Sequence, residues 1–211
     1  MVDRMLTVPE EVVLLSLDDA TGRPLELPAA ALSLALSGAV LMELTLRGRL
    51  DSDPDRLFVA DPNPCGDALL DPVLARIAMA AEPQDSRWWM GQLAPGAPAL
   101  RQALLDRLVA GGLLQVETAR KFWILPDRRY RKAGDAAATR ERLRAVLLAG
   151  EIPEARDSLM AGLCRATGLT ALLLSEDEAR EAAARIAAVA ALEEMSRSLI
   201  AETRDRLTTE H

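Results

Sequence analysis

Sixteen consecutive residues of this chain, 27–42, carry no charge, and the run is bounded by Glu26 and Glu43. A helix that crosses a bilayer needs about 20 predominantly apolar residues. This run falls short of that and also contains Ser33, Ser37 and Gly38. Pro28 suits a first helical turn, and Gly48, after Arg47, is placed to end the helix in a left-handed cap. The expectation is a buried core helix running to about Arg47, not a membrane span.

What surrounds such a helix follows from composition. Half of the residues are apolar and only 3% are aromatic, so the core must be built from Leu, Ala and Val. Ala and Leu are the strongest helix formers, because neither loses much side-chain freedom in a helix. An all-α or nearly all-α chain follows, and 211 residues suit one well-buried core.

Along the chain, Thr7 with Pro9, Glu10 and Glu11 reads as a helix start, with the two carboxylates near the positive end of the dipole. Residues 18–24 are a turn by composition. Residues 51–67 are rich in Asp, Pro and Asn around 57–60, a candidate brief strand. Asp71 and Pro72 open a helix that fades at Glu82-Pro83, and 86–93 is a short helix containing adjacent Trp88 and Trp89. Residues 98–109 are amphipathic and end in Gly111-Gly112. Segments 113–117 and 121–125 then read as a β-hairpin. An Arg-rich helix over 139–149 and another over 153–167, stopped by Gly168, come next. Ser175 and Glu178 have capping-box spacing before a long Ala-rich helix towards Arg206. Proline punctuates the helices where long linkers would separate domains, which favours one bundle.

The only histidine is His211, and neither a nucleophile triad nor a phosphate-binding glycine loop is present in the sequence. The expectation is a protein that is not an enzyme and takes no cofactor. Cys65 and Cys164 lie far apart without metal-ligand spacing and read as two reduced thiols. The opening MVDRMLTVPEE lacks a cationic start and an apolar core, which points to the cytoplasm. A net charge of −7 makes nucleic acid an unlikely partner. Helix, Gly-Gly and hairpin in that order still leave a winged-helix nucleic-acid binder as an alternative.

Charge is nevertheless segregated. Between residues 120 and 132, six cations (Arg120, Lys121, Arg128, Arg129, Arg131 and Lys132) stand against the single Asp127, with Phe122, Trp123 and Tyr130 interleaved. Guanidinium forks grip phosphate oxygens bidentately, and Trp or Tyr rings settle among lipid headgroups. The competing reading is a solvated hairpin end whose arginines pair with nearby carboxylates. Trp88 and Trp89 point about 100° apart on a helix, so at most one faces the core directly, and the other is a candidate membrane contact.

Five segments line up in order with one family: EEVVLLSLDDATG at 10–22, SGAVLMELTLRGRL at 37–50, GDALLDPVL at 66–74, RLVAGGLL at 107–114 and KFWIL from Lys121. Together they resemble the Golgi phosphoprotein 3 family of phosphoinositide-binding peripheral membrane proteins. The resemblance implies a mainly α fold: a single-domain helical bundle ringed by amphipathic helices, with one projecting β-hairpin. It also implies a non-enzymatic protein attached peripherally to membrane. The family's pocket for phosphatidylinositol 4-phosphate uses a tryptophan before the hallmark helix, an arginine early in it, and two basic residues three apart on a later helix. Arg101 matches the second of that pair, while Pro98, Ser37 and Leu27 or Pro28 stand at the other positions. The expected lipid-binding residues are therefore Arg101, Arg128, Arg129, Arg131 and Lys132, with anionic phospholipid headgroups as the partner. A protein-interaction or homo-oligomerisation role for the hairpin is the alternative.

Overall fold

Thr7 starts the first helix of the computed structural model, which describes residues 5–53, 56–119, 127–133, 138–189 and 191. Its hydroxyl accepts from the Glu10 amide while the Glu10 carboxylate accepts the Thr7 N–H at 2.8 Å, so both free amides are satisfied. The resulting helix α1 (Val8–Leu15) is buried along its whole length. Helix α2 (Ala29–Leu46) begins after Pro28 and closes through Arg47 and Gly48, whose φ of +67° is the left-handed cap. Its 18 residues reach the length and apolarity of a membrane span, but half of them are packed inside the protein. The first turn is exposed, and burial begins at Ala35 and holds through most of the remainder.

Helices α1, α4 (Ser86–Leu93), α5 (Ala97–Ala110) and α7 (Ala155–Ala166) pack around α2. Gly38 lets α7 and α4 come close to α2: a Cβ there would lie 2.7 Å from Leu163 Cδ1 and 3.2 Å from Met90 Cε. One apolar cluster joins α1, the N-terminal half of α2, α5 and α7. A second joins the C-terminal half of α2 to β1 (Leu50–Ser52), β2 (Leu57–Val59), α3 (Asp71–Ala78) and Trp89. Met90 and Leu100 touch both. Of the adjacent tryptophans, Trp89 is buried and Trp88 is exposed, edge to face at 4.9 Å.

The chain is mainly helical with two antiparallel strand pairs among the described residues. Three details differ from the expectation. The brief strand at 57–59 has a partner, β1, because the turn closed by the Asp53 amide donating to Arg56 O at 3.0 Å brings the chain back alongside it. In the main hairpin, β3 (Leu114–Ala119) pairs with β4 (Asp127–Lys132), whereas the expected partner, 121–125, lies outside the described residues. The basic stretch can be a strand because Tyr130 turns inward, 6% exposed, while Arg131 stays outside. Finally, α6 (Ala138–Arg144) widens into a π-helical turn, Ala145–Ala149, and α8 (Glu176–Glu181) breaks at Ala182 before helix resumes over 183–189. The expected continuation towards Arg206 lies outside the described residues.

Candidate functional site

Charge gathers in two places, and only one has an open face. The first lies beneath α1. Glu11, 2% exposed, takes Arg142 Nη2 (2.8 Å) and Thr139 Oγ1 (3.1 Å) on one oxygen and Arg156 Nε (2.8 Å) on the other. Arg142 also reaches Asp157 at 2.7 Å. Burial works against the Arg142 charge, but the hydrogen bonds it donates to Glu11 and Asp157 outweigh that and raise its pKa. Glu43 of α2 accepts the Val8 amide (2.8 Å), Arg47 Nε (2.8 Å) and the more distant Arg156 Nη1 (3.4 Å).

Glu10 forms an ion pair with Arg107 Nε at 3.0 Å, although that N–H is not aimed as a hydrogen bond. The other arm of Arg107 holds both oxygens of Asp67 at 2.9–3.0 Å. Asp71 folds back to accept the Cys65 amide (2.8 Å) and the Gly66 amide (3.1 Å). The acidic pair at 10–11, Glu43 and Arg47 in LMELTLRGRL, and both aspartates of GDALLDPVL are thus scaffold. Reading Glu10 and Glu11 as dipole partners identified the cap but missed the ion pairs, which come from residues about a hundred or more positions away.

The second concentration is where α5 meets the hairpin. Arg101 is half-buried, its Nε has no hydrogen-bond partner, and no carboxylate among the described residues pairs with it. Burial pushes its pKa down, and Tyr130 of β4 is the neighbour that opposes this. Helix α5 packs against β3 of the hairpin, which leaves Arg101 within electrostatic reach of Tyr130 on β4.

The remaining predicted residues follow the strand register. Arg128 sits opposite Thr118, Arg129 opposite Glu117, Arg131 opposite Gln115 and Lys132 opposite Leu114. Arg131 pairs diagonally with Glu117 at 2.7 Å, with the two side chains 67% and 47% exposed. Arg129 is half-buried and has partners of its own. Nothing of the Arg128 side chain falls within the described structure.

Lys132 points the other way, to the Leu17 carbonyl (3.2 Å) and the Asp19 carboxylate. Burial lowers its pKa while Asp19 opposes that shift. Asp19 also takes Arg140 Nε at 2.7 Å, and Arg140 Nη2 donates to the Leu15 carbonyl at the end of α1 (3.0 Å). Next to it, the Tyr130 amide donates to Gly22 O at 2.7 Å. Gly22 has φ +65°, and a Cβ there would lie 2.6 Å from Tyr130 O, so only glycine fits this contact. The acidic turn 18–23 thus clamps the foot of the hairpin. Sequence reasoning read residues 18–24 as a turn, which fits Asp18, whose carboxylate accepts the Thr21 amide at 2.7 Å, but it did not reveal the latch made by Asp19.

Position 37, which stands where the family has a phosphate-binding arginine, is a buried serine whose hydroxyl donates to Ser33 O at 2.9 Å. Among the described residues no group of three His, Cys, Asp or Glu side chains is placed to hold a metal ion.

The family model for Golgi phosphoprotein 3 (GPP34) matches residues 8–203, nearly the whole chain. No curated protein sequence matches it.

Proposed function

We propose, from the premise that the chain belongs to the Golgi phosphoprotein 3 family, that it attaches peripherally to anionic membrane and carries out no chemical step there. The contact surface in this reading is the face where α5 meets the β3–β4 hairpin, on the cytoplasmic side of a membrane. The observation that carries it is Arg101: a half-desolvated guanidinium, unpaired with any described carboxylate, beside the strand that bears the chain's cation cluster. A guanidinium that has already lost part of its water is well placed to donate to a phosphate oxygen.

Arg131 adds to this surface because its pair with Glu117 is exposed and weak enough to exchange a carboxylate for a lipid phosphate. Lys132 serves differently, as the latch that fixes the hairpin's angle. Attraction by charge, and not recognition of one headgroup, is the expected mode. Ser37 is buried and Pro98 has no charge to offer, so the family's headgroup pocket has only Arg101.

Co-sedimentation with vesicles tests the reading. Binding is expected to phosphatidylcholine vesicles that include phosphatidylglycerol or phosphatidylinositol 4-phosphate, to both alike, and not to phosphatidylcholine alone. It should weaken from low to physiological salt. The double variant Arg101→Glu/Arg131→Glu should lose at least about tenfold in partitioning, since each cation near an anionic surface contributes about 1 kcal/mol. Absence of binding at both salts, or a double variant that binds as before, removes the proposal. A stable oligomer that the same variant dissolves would instead make the hairpin an assembly surface.

A further inference from the structure

On another side of the molecule, a cleft of about 480 Å³ opens between β2 and the turn that joins α3 to α4. That volume is in the range of small-molecule sites. Its floor is apolar: Leu57, Ile77 and Trp89, all buried, line it, and Phe58, Val59 and Pro62 form one wall. The opposite wall is the 80–84 turn, held to β2 by the Leu57 amide donating to Gln84 O at 2.8 Å. The walls are thus tied together at one end and open beyond it.

Electrostatics selects what enters. Residues 51–85 contain eight carboxylates (Asp51, Asp53, Asp55, Asp61, Asp67, Asp71, Glu82 and Asp85) and two cations, Arg56 and Arg76. This stretch therefore accounts for −6 of the chain's −7. Several of these carboxylates are committed: Asp61 to Arg49, Asp67 to Arg107, Asp71 to the 65–66 amides, and Asp85 to the Trp88 amide. Glu82 is different. It lines the cleft, is exposed, and pairs with no described cation.

The Trp89 ring already has the Arg76 guanidinium 5.9 Å from its centroid, so it serves the cleft as apolar surface and the charge contact falls to Glu82. Arg76 itself is outside the cleft lining, turned towards the Gln92 carbonyl at 3.4 Å.

We propose that this cleft binds an amphiphilic amine: a small molecule whose apolar body packs between Phe58, Ile77 and Trp89 and whose ammonium group faces Glu82. It is independent of the membrane face, because none of its lining residues is among Arg101 or the hairpin cations.

Three ligands of equal chain length separate the site from its selectivity: decylamine, decanoate and decanol, each kept below its micelle concentration. They would be titrated into the full chain by calorimetry, with tryptophan fluorescence as a second readout. Saturable binding is expected for decylamine, with decanol weaker and decanoate weakest. Glu82→Gln should reduce decylamine affinity about two- to fivefold and leave decanol unchanged, the size of an exposed ion pair. Phe58→Ala, with retained helicity checked by circular dichroism, should weaken all three ligands.

Equal affinity for amine and alcohol, or a preference for decanoate, overturns the amine assignment. Binding unaffected by Phe58→Ala, or no saturable binding, overturns the site. Vesicle binding by the Glu82→Gln variant should stay at the parent level, so failure here leaves the membrane reading standing and failure there leaves this one.

Discussion

Beneath α1, the Glu11 and Asp157 side chains are each 3% exposed, against 15% for Arg156 and 37% for Arg142, and each guanidinium there meets more than one acceptor. Across β3 and β4, Arg131 is 67% exposed and meets Glu117 from the next register position. The residue types are the same, but the surroundings reverse their role. Buried charges must be paired because losing a partner leaves an ion without water, so the hub fixes the angles among α1, α2, α5, α6 and α7. Charges in water are held by little and can be traded. Charge density alone therefore does not separate scaffold from surface in this chain, and exposure with an unpaired member is what singles out the face proposed above to meet a membrane.

The sharpest way to break this comparison is to remove one carboxylate from each region. Glu11→Ala should cost about 3–5 kcal/mol in denaturant unfolding, because Arg142 and Arg156 lose a shared buried partner. A loss below about 1 kcal/mol would place the hub in the same class as surface pairs.

An intermediate case is Glu178, which accepts Arg144 Nη2 (2.5 Å) and Nη1 (3.0 Å) while closing the capping box with Ser175. Those bonds hold its carboxyl down from 4.5 to about 2, the Arg144 contribution being the largest. A depressed carboxyl stabilises the fold fully above its unfolded value, and that support fades as pH falls from about 4.5 through about 2. Carboxyl titration by NMR should give Glu178 a midpoint near the lower figure, and Glu178→Gln should remove its share of acid sensitivity. A midpoint at 4.5 would mean the pair does not persist in solution. Smallest of all, a double-mutant cycle on Glu117 and Arg131 should return a coupling under about 1 kcal/mol that shrinks with salt.

What could be read in the sequence was local. The Thr7 cap, the extent of α2, the Gly48 and Gly168 stops and the Ser175 capping box depend on residues within a turn of one another, and all appear as expected. The order of motifs also pointed to the family that the family model then matched. The tertiary roles of those motifs were not legible. Glu11 finds Thr139, Arg142 and Arg156 at separations of 128 to 145 residues, and no periodicity encodes such a meeting.

The candidate site was legible in outline, as a basic segment plus Arg101, but its division of labour was not. Strand alternation sends Lys132 inward to Asp19 and Arg131 outward to solvent, and that depends on a register set by β3. The amine cleft escaped altogether, since its walls come from β2, α3 and the turn after it, and only Glu82 carries a charge into it.

The Glu11 pairs also set an order of events during synthesis. Helix α1 is made first, yet Arg156 follows it by 145 residues, roughly 7–30 s later at about 5–20 residues per second. Arg107 arrives earlier for Glu10 and Arg142 earlier for one oxygen of Glu11, and the other oxygen waits for Arg156. The ion-pair network under α1 is therefore complete only once α7 has been made, and a chain halted before that point lacks the Arg156 share of it.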